Sequence, residues 1–297
     1  MLTSFITSAK FTRHEFEEYV LPLVEAESLS ALTNPATRAI ELAHSLAFRS
    51  GLGSSLFASP NNHLYTEDVK AFAASAFQKG NIAVLGAGID QTTLSKLVAN
   101  SLGSSSAATT TAPSTPPTSY FGGETRVEAH GGPQTIFIGF GATGSSAPEI
   151  AALSAHLSPQ SAIKWSRGQS PIAAKIPHGT SVQTVFLPYS DATLFGLLVQ
   201  GPTGESTKEA GKVAVKALKD SAVSGGLKGE ELKKAVAKAK FAAASAIESD
   251  RDAMVTALGS KASNIFFIYY FSADKFSYPC IRSWRALKCP SNQHCRH

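Results

Sequence analysis

The chain reads as an α+β protein built from two similar domains, and three observations lead there. Apolar residues recur at helical spacing in segments that carry their own caps. Short apolar runs of strand character stand between glycine turns. A Ser/Ala/Thr/Pro tract from Gly103 to Ser119 divides the chain near its middle. Such a tract has too little apolar surface to offset the entropy of ordering it, so it predicts a flexible connector. The expected layout is therefore a first domain over 1–102, a linker over 103–119, a second domain over 120–260 and an atypical tail over 261–297.

In the first domain, Thr12 and Glu15 form a Thr-x-x-Glu capping box, and Phe16, Val20 and Val24 continue one apolar stripe, which predicts a helix from Phe11 to Leu32 interrupted near Pro22. Asn34 is placed to cap a second helix, with Pro35 at its first position and Gly51-Leu-Gly53 ending it. Thr66 is expected to cap a third, from Glu67 to about Gln78. A strand Asn81-Ile-Ala-Val-Leu85, a Gly86-Ala-Gly88 turn and a helix from about Asp90 to Ala99 complete this half.

The second domain opens with a strand from Thr135 to Phe140, then a Gly/Ser loop and a helix from about Pro148 to Leu157. Strands follow over Val182 to Leu187 and Thr193 to Val199. The Gly201-Pro202-Thr-Gly204 turn leads into a helix from Lys208 to about Ala222, and a long Ala- and Lys-rich helical segment runs from Glu230 to about Leu258. Its order of Glu230-Glu231, a break near Ser249 and Leu258-Gly259-Ser260 parallels Glu17-Glu18, Asn34 and Leu52-Gly53-Ser54. That echo suggests a duplicated domain, the first copy without its beginning and the second without its end.

Composition narrows the function classes. With 43% hydrophobic and 16% charged residues, the chain is globular, and its net charge of +5 is interleaved with acids instead of forming a basic patch between aromatics, which argues against nucleic acid as a partner. All three cysteines, Cys280, Cys289 and Cys295, lie at the C-terminal end, so no disulfide framework holds either domain. The most apolar run, Ile265 to Phe271, is far short of the roughly twenty residues that cross a bilayer. The opening residues have a transit-peptide composition, but the capping box reads them as the approach to a helix.

Catalytic patterns are present only in fragments. His14-Glu-Phe-Glu17-Glu18 approaches the inverted zinc motif His-x-x-Glu-His, yet Glu18 stands where the second imidazole is needed, and His44, His63, His130, His156 and His178 form no i, i+4 pair. Gly139-Phe-Gly141-Ala-Thr-Gly144 matches GxGxxG after a strand but has no acid near position 160 for a ribose hydroxyl. The Gly86-Ala-Gly88 turn has Gln91 where the third glycine belongs. Ser166, near Gly168 and Ser170, lacks the Gly-x-Ser-x-Gly setting of a nucleophile. Lys164, Trp165 and Arg167 read as a loop anchor or interface contact. Cys289, Cys295, His294 and His297 fit no standard zinc spacing, and from Lys261 the tail reads as sequence unrelated to the rest. The expected set is no catalytic residue, no cofactor and no metal.

Four stretches carry a more specific signal: Ala47-Phe48-Arg49-Ser50-Gly51-Leu52-Gly53, Asn81 to Ile89, Tyr120-Phe121-Gly122-Gly123-Glu124-Thr125-Arg126, and Ile163-Lys-Trp-Ser-Arg-Gly-Gln-Ser-Pro171. In order and spacing they resemble the fungal-type core subunits of mitochondrial ubiquinol-cytochrome c reductase, within the insulinase-like (pitrilysin-type) metallopeptidase family. The resemblance extends over residues 5–260. It implies two similar metallopeptidase-like domains, both incomplete here, and a non-catalytic structural subunit supporting assembly and electron transport. It places that subunit on the matrix side of the inner membrane, held there through partners that include core protein 1, with no small-molecule substrate. The alternative within the family is a regulatory, presequence-binding subunit of mitochondrial processing peptidase. That subunit carries a long glycine-rich loop in its second half, whereas Gly139 to Ser146 is short and mixed.

Overall fold

Every residue of Ala192–Gly201 (β3) except Gln200 is buried, because its sequence, ATLFGLLVQG, is apolar on both faces, and such a strand is stable only in the middle of a sheet with cover on each side. The sheet order is β1-β3-β2, with Gln134–Thr143 (β1) and Ser181–Pro188 (β2) both antiparallel to β3. The computed structural model describes residues 4–59, 63–77, 82, 84–86, 88–102, 116–128, 131–144, 147–160, 170–222, 227, 229–249, 254–255 and 258–259.

Helices precede and follow the strands: Ser4–Thr7 (α1), Arg13–Glu15 (α2), Leu21–Thr33 (α3), Pro35–Phe48 (α4), Thr66–Ala76 (α5) and Gln91–Leu102 (α6), then Ala147–Leu157 (α7), Gly204–Ala222 (α8) and Gly229–Ser249 (α9). This mixture fits the expected α+β class. Contacts group Lys10–Ala76 with Thr109–Ser260 in one unit; in the other, the described elements are α1 and α6. The sequence reading instead places its boundary at 103–119, and residues 103–115 of that linker lie outside the described residues.

Alternation along β3 sends its side chains to two different layers. Phe195, Leu197 and Val199 meet Ile150 and Leu157 of α7 and Ala210, Ala214 and Ala217 of α8 on one face. Ala192 and Leu194 meet Ala47 and Phe48 of α4 on the other. The buried stripe of α8, Thr207, Ala210, Gly211, Ala214 and Ala217, is made of small residues, which lets the helix lie close to the sheet. Its start is held by Thr203, whose hydroxyl oxygen accepts from Ser206 N–H at 3.3 Å. On its outer side α7 packs against α9, where the Lys238 ammonium donates to the Ser158 carbonyl at 3.1 Å.

The local signals of the first half are realised with four differences. Asn34 caps α4 as expected, its side chain accepting from Ala36 N–H at 3.0 Å and Thr37 N–H at 3.4 Å, with Pro35 leading the helix. The interruption expected near Pro22 is a π-helical turn, Phe16–Val20, just ahead of it, since proline has no N–H to continue the α pattern. The Thr12–Glu15 pair bonds side chain to side chain at 2.6 Å, not reciprocally to the backbone as a capping box does. Thr66 lies inside α5, and the cap is made backwards, Asp68 accepting from Tyr65 N–H at 3.2 Å. Of the strand expected over Asn81–Leu85, residues 82, 84 and 85 are described and none is in a strand.

Candidate functional site

Two of the family-like stretches, Ala47–Gly53 and Tyr120–Arg126, meet at the C-terminal end of α4. The helix stops at Phe48, and Arg49 turns into the left-handed region at φ 58, followed by Gly51 at φ 67 and a 3₁₀ turn, Gly51–Gly53. A non-glycine residue in that region is strained and needs neighbours to hold it. The Arg49 guanidinium lies 4.3 Å from the centre of the Phe121 ring, and Phe121 N–H donates to the Ala47 carbonyl at 2.9 Å. Tyr120-Phe-Gly-Gly-Glu-Thr-Arg126 thus satisfies one of the carbonyls that the helix end leaves open.

This stretch belongs to a longer strap, Thr118–Glu128, with no regular secondary structure. It follows α4 backwards: Gly123 lies against Leu46, and Arg38 Nη1 donates weakly to the Glu128 carbonyl at 3.5 Å. Its other end is fixed to the β2–β3 turn, where Thr118 N–H donates to Asp191 Oδ2 at 2.9 Å. Hydrogen bonds from Thr118, its side chain and then its backbone, hold the Asp191 carboxyl below the usual range. The Asp191 carbonyl accepts from Gly144 N–H at 2.8 Å, so one residue joins the strap, the hairpin turn and the end of β1.

Beneath the strap, the glycines of the nucleotide-like pattern receive aromatic rings. Gly139 and Gly141 lie within β1, and Gly139 pairs with Gly196 of β3. A Cβ on Gly139 or Gly196 would strike Cε1 of the Phe137 ring at 2.7 Å, and one on Gly141 would meet Tyr120 Cδ2 at 2.6 Å and Phe48 Cε1 at 3.1 Å. These glycines form a trough for Phe137, Tyr120 and Phe48. Two of the three glycines in the literal GxGxxG match are thus strand backbone packed under rings, and Gly144 lies just past the strand at φ 88.

His44 completes the junction. Its Nδ1 faces the Ile40 carbonyl at 2.8 Å and so carries the proton, which leaves Nε2 to accept from the Tyr189 hydroxyl at 2.6 Å in the neutral ring. The two rings meet edge to face with centroids 5.8 Å apart. Burial, and secondarily the Glu41 carboxylate, push the Tyr189 phenol up, which keeps its hydroxyl a donor. A buried histidine is here a fastening between α4 and the hairpin. Sequence reading passed over it because its partner is 145 positions away.

The other sequence candidates stand apart. His14 pairs with Glu18 at 3.1 Å and Arg13 with Glu17 at 2.6 Å, both on an exposed helix face. His156 lies between α7 and α9, its pKa lowered by burial against the pull of Glu231. Ser170 is buried and accepts from Ala173 N–H at 3.1 Å, as a turn cap does. Gly86 is packed by Ile89 and Leu94. Lys164, Trp165, Ser166, Arg167 and Gly168, and Cys280, Cys289, His294, Cys295 and His297, lie outside the described residues. Among the described residues, no three His, Cys, Asp or Glu side chains gather as a metal site, and no helix is long and apolar enough to cross a membrane.

No protein-family model matches the chain. It is 42% identical over 257 residues to the mitochondrial cytochrome b-c1 complex subunit 2 of Cryptococcus neoformans var. grubii, covering 84% of this chain and 58% of that protein. Proteins of the same name in Neurospora crassa and Yarrowia lipolytica are 37% identical over 267 residues and 34% identical over 253 residues, covering 86% and 82% of this chain and 57% and 58% of theirs. The chain thus spans a little over half the length of these curated relatives. Over that matched stretch the chain is a homologue of, and belongs with, the fungal proteins named cytochrome b-c1 complex subunit 2.

Proposed function

We propose that this chain serves as a non-catalytic structural core subunit of respiratory complex III, ubiquinol-cytochrome c reductase, supporting its assembly and electron transport. The observation that carries the reading is 42% identity across 84% of the chain with a protein named as subunit 2 of that complex. The junction at α4 supports it. Its histidine, tyrosine, arginine and glycines are all consumed in holding one layer on another, which is what a scaffold asks of such residues. The same proposal includes two metallopeptidase-like domains, 1–102 and 120–260, joined by 103–119. It also includes peripheral attachment on the matrix side of the inner membrane and core protein 1 as the neighbour.

The test is expression of the tagged full chain in a fungus lacking its own subunit 2, followed by native electrophoresis of detergent-solubilised mitochondria. Co-migration with the haem absorbance of the complex, together with restored ubiquinol oxidation, is the expected result. A chain running apart from the haem signal and co-purifying with presequence-cleaving activity would overturn the reading in favour of a processing-peptidase subunit.

A further inference from the structure

We propose that the strap Thr118–Glu128 is a clasp that holds α4 on the sheet by its own contacts, so that the parts of the chain before and after the Ser/Thr/Pro tract stay associated even when the tract is cut. A tether of this length only raises the effective concentration of one part near the other, to the millimolar range when flexible, and adds no contact of its own. The contacts are elsewhere. Phe48, 1% exposed, is seated among Leu194, Ala192 and the glycine trough. The His44–Tyr189 bond crosses from α4 to the hairpin. The strap is fixed at Asp191 on the sheet side and at Ala47, Arg49 and Arg38 on the helix side.

The anchors differ in kind, and that assigns roles. Asp191 accepts a backbone N–H with a carboxylate, a charge-assisted bond at a turn that β1 and β3 already make rigid. Arg49, in its left-handed conformation, presents its guanidinium to Phe121 and ties the strained helix end to the strap. Asp191 is the fixed end of the clasp and Arg49–Phe121 the closing end. This inference concerns the molecule itself and does not rest on the complex-subunit reading.

The experiment places a protease site between Gly103 and Ser114 of the full chain, cuts it, and passes the nicked protein over a size-exclusion column at micromolar concentration. The expected result is one peak holding both pieces in equal amounts. Phe121→Ala, at an exposed position, and Asp191→Ala, at a half-buried one, should lower the retained fraction at least tenfold, while Asp191→Asn, which keeps an acceptor oxygen, should fall between them and the parent. Hydrogen exchange on the uncut Asp191→Ala protein separates loss of the clasp from general destabilisation. The expected pattern is α4 amides exchanging at least tenfold faster with β3 unchanged. Separation of the nicked parent, or variants that elute and exchange like the parent, or equal acceleration throughout, would overturn the proposal.

Discussion

β3 and the α3–α5 region are both rich in large apolar side chains, and the structure treats them oppositely. Along β3, Leu194, Phe195, Leu197 and Val199 are each 1% exposed or less, because a helical layer lies on either face of the sheet. On α3 and α5, Leu23, Leu29 and Phe72 are 64–71% exposed. The difference is not in composition but in layering. A strand flanked by two strands and faced by α4, α7 and α8 buries every side chain but that of Gln200, whereas among the described residues the outer faces of α3 and α5 carry no second layer.

Substitution of the same residue type in the two regions is the strongest way to break this comparison. Phe195→Ala should cost about 3–5 kcal/mol, as loss of a fully buried aromatic does, while Phe72→Ala should stay within about 0.5 kcal/mol, both read from urea unfolding midpoints. Equal effects would mean that α5 is covered as thoroughly as β3. Next comes overpacking: Gly196→Ala drives a methyl group into the Phe137 ring and should cost about 1–3 kcal/mol by the same measurement. If the glycine trough were open space, that variant would be neutral.

Helix ends give a smaller effect of known sign. Asn34→Ala removes the acceptor for two N–H groups of α4 and should lower stability by about 1 kcal/mol. The pH dependence of the α7–α9 contact is smaller still. His156 titrates below its unfolded value, so the unfolded chain binds more protons through the window beneath about pH 6.5. The stability held above that pH is therefore lost progressively as pH falls toward the folded pKa. His156→Gln should flatten this slope in thermal melts taken across that window, and an unchanged slope would assign it to other groups.

Much of the fold was legible because its signals are local. The three strands, α7 and the Asn34-Pro35 start of α4 each follow from a run of apolar residues or a cap within a few positions. The junction was not legible, since its bonds join residues 73, 74 and 145 positions apart: Thr118 to Asp191, Ala47 to Phe121 and His44 to Tyr189. Periodicity carries no information at that range. Gly139 and Gly141 were legible as unusual but not as a seat for rings, because the rings of Tyr120 and Phe48 arrive from elsewhere in the chain. The family-like motifs marked the right residues without showing that two of them touch.

Whether α4 is part of the sheet's own layer structure is tested most directly by hydrogen exchange followed along the whole chain under native conditions. The account predicts that the interior amides of α4 exchange as slowly as those of β3, within tenfold, and far more slowly than those of α5. Exchange of α4 at the rate of α5, with β3 alone protected, would contradict it.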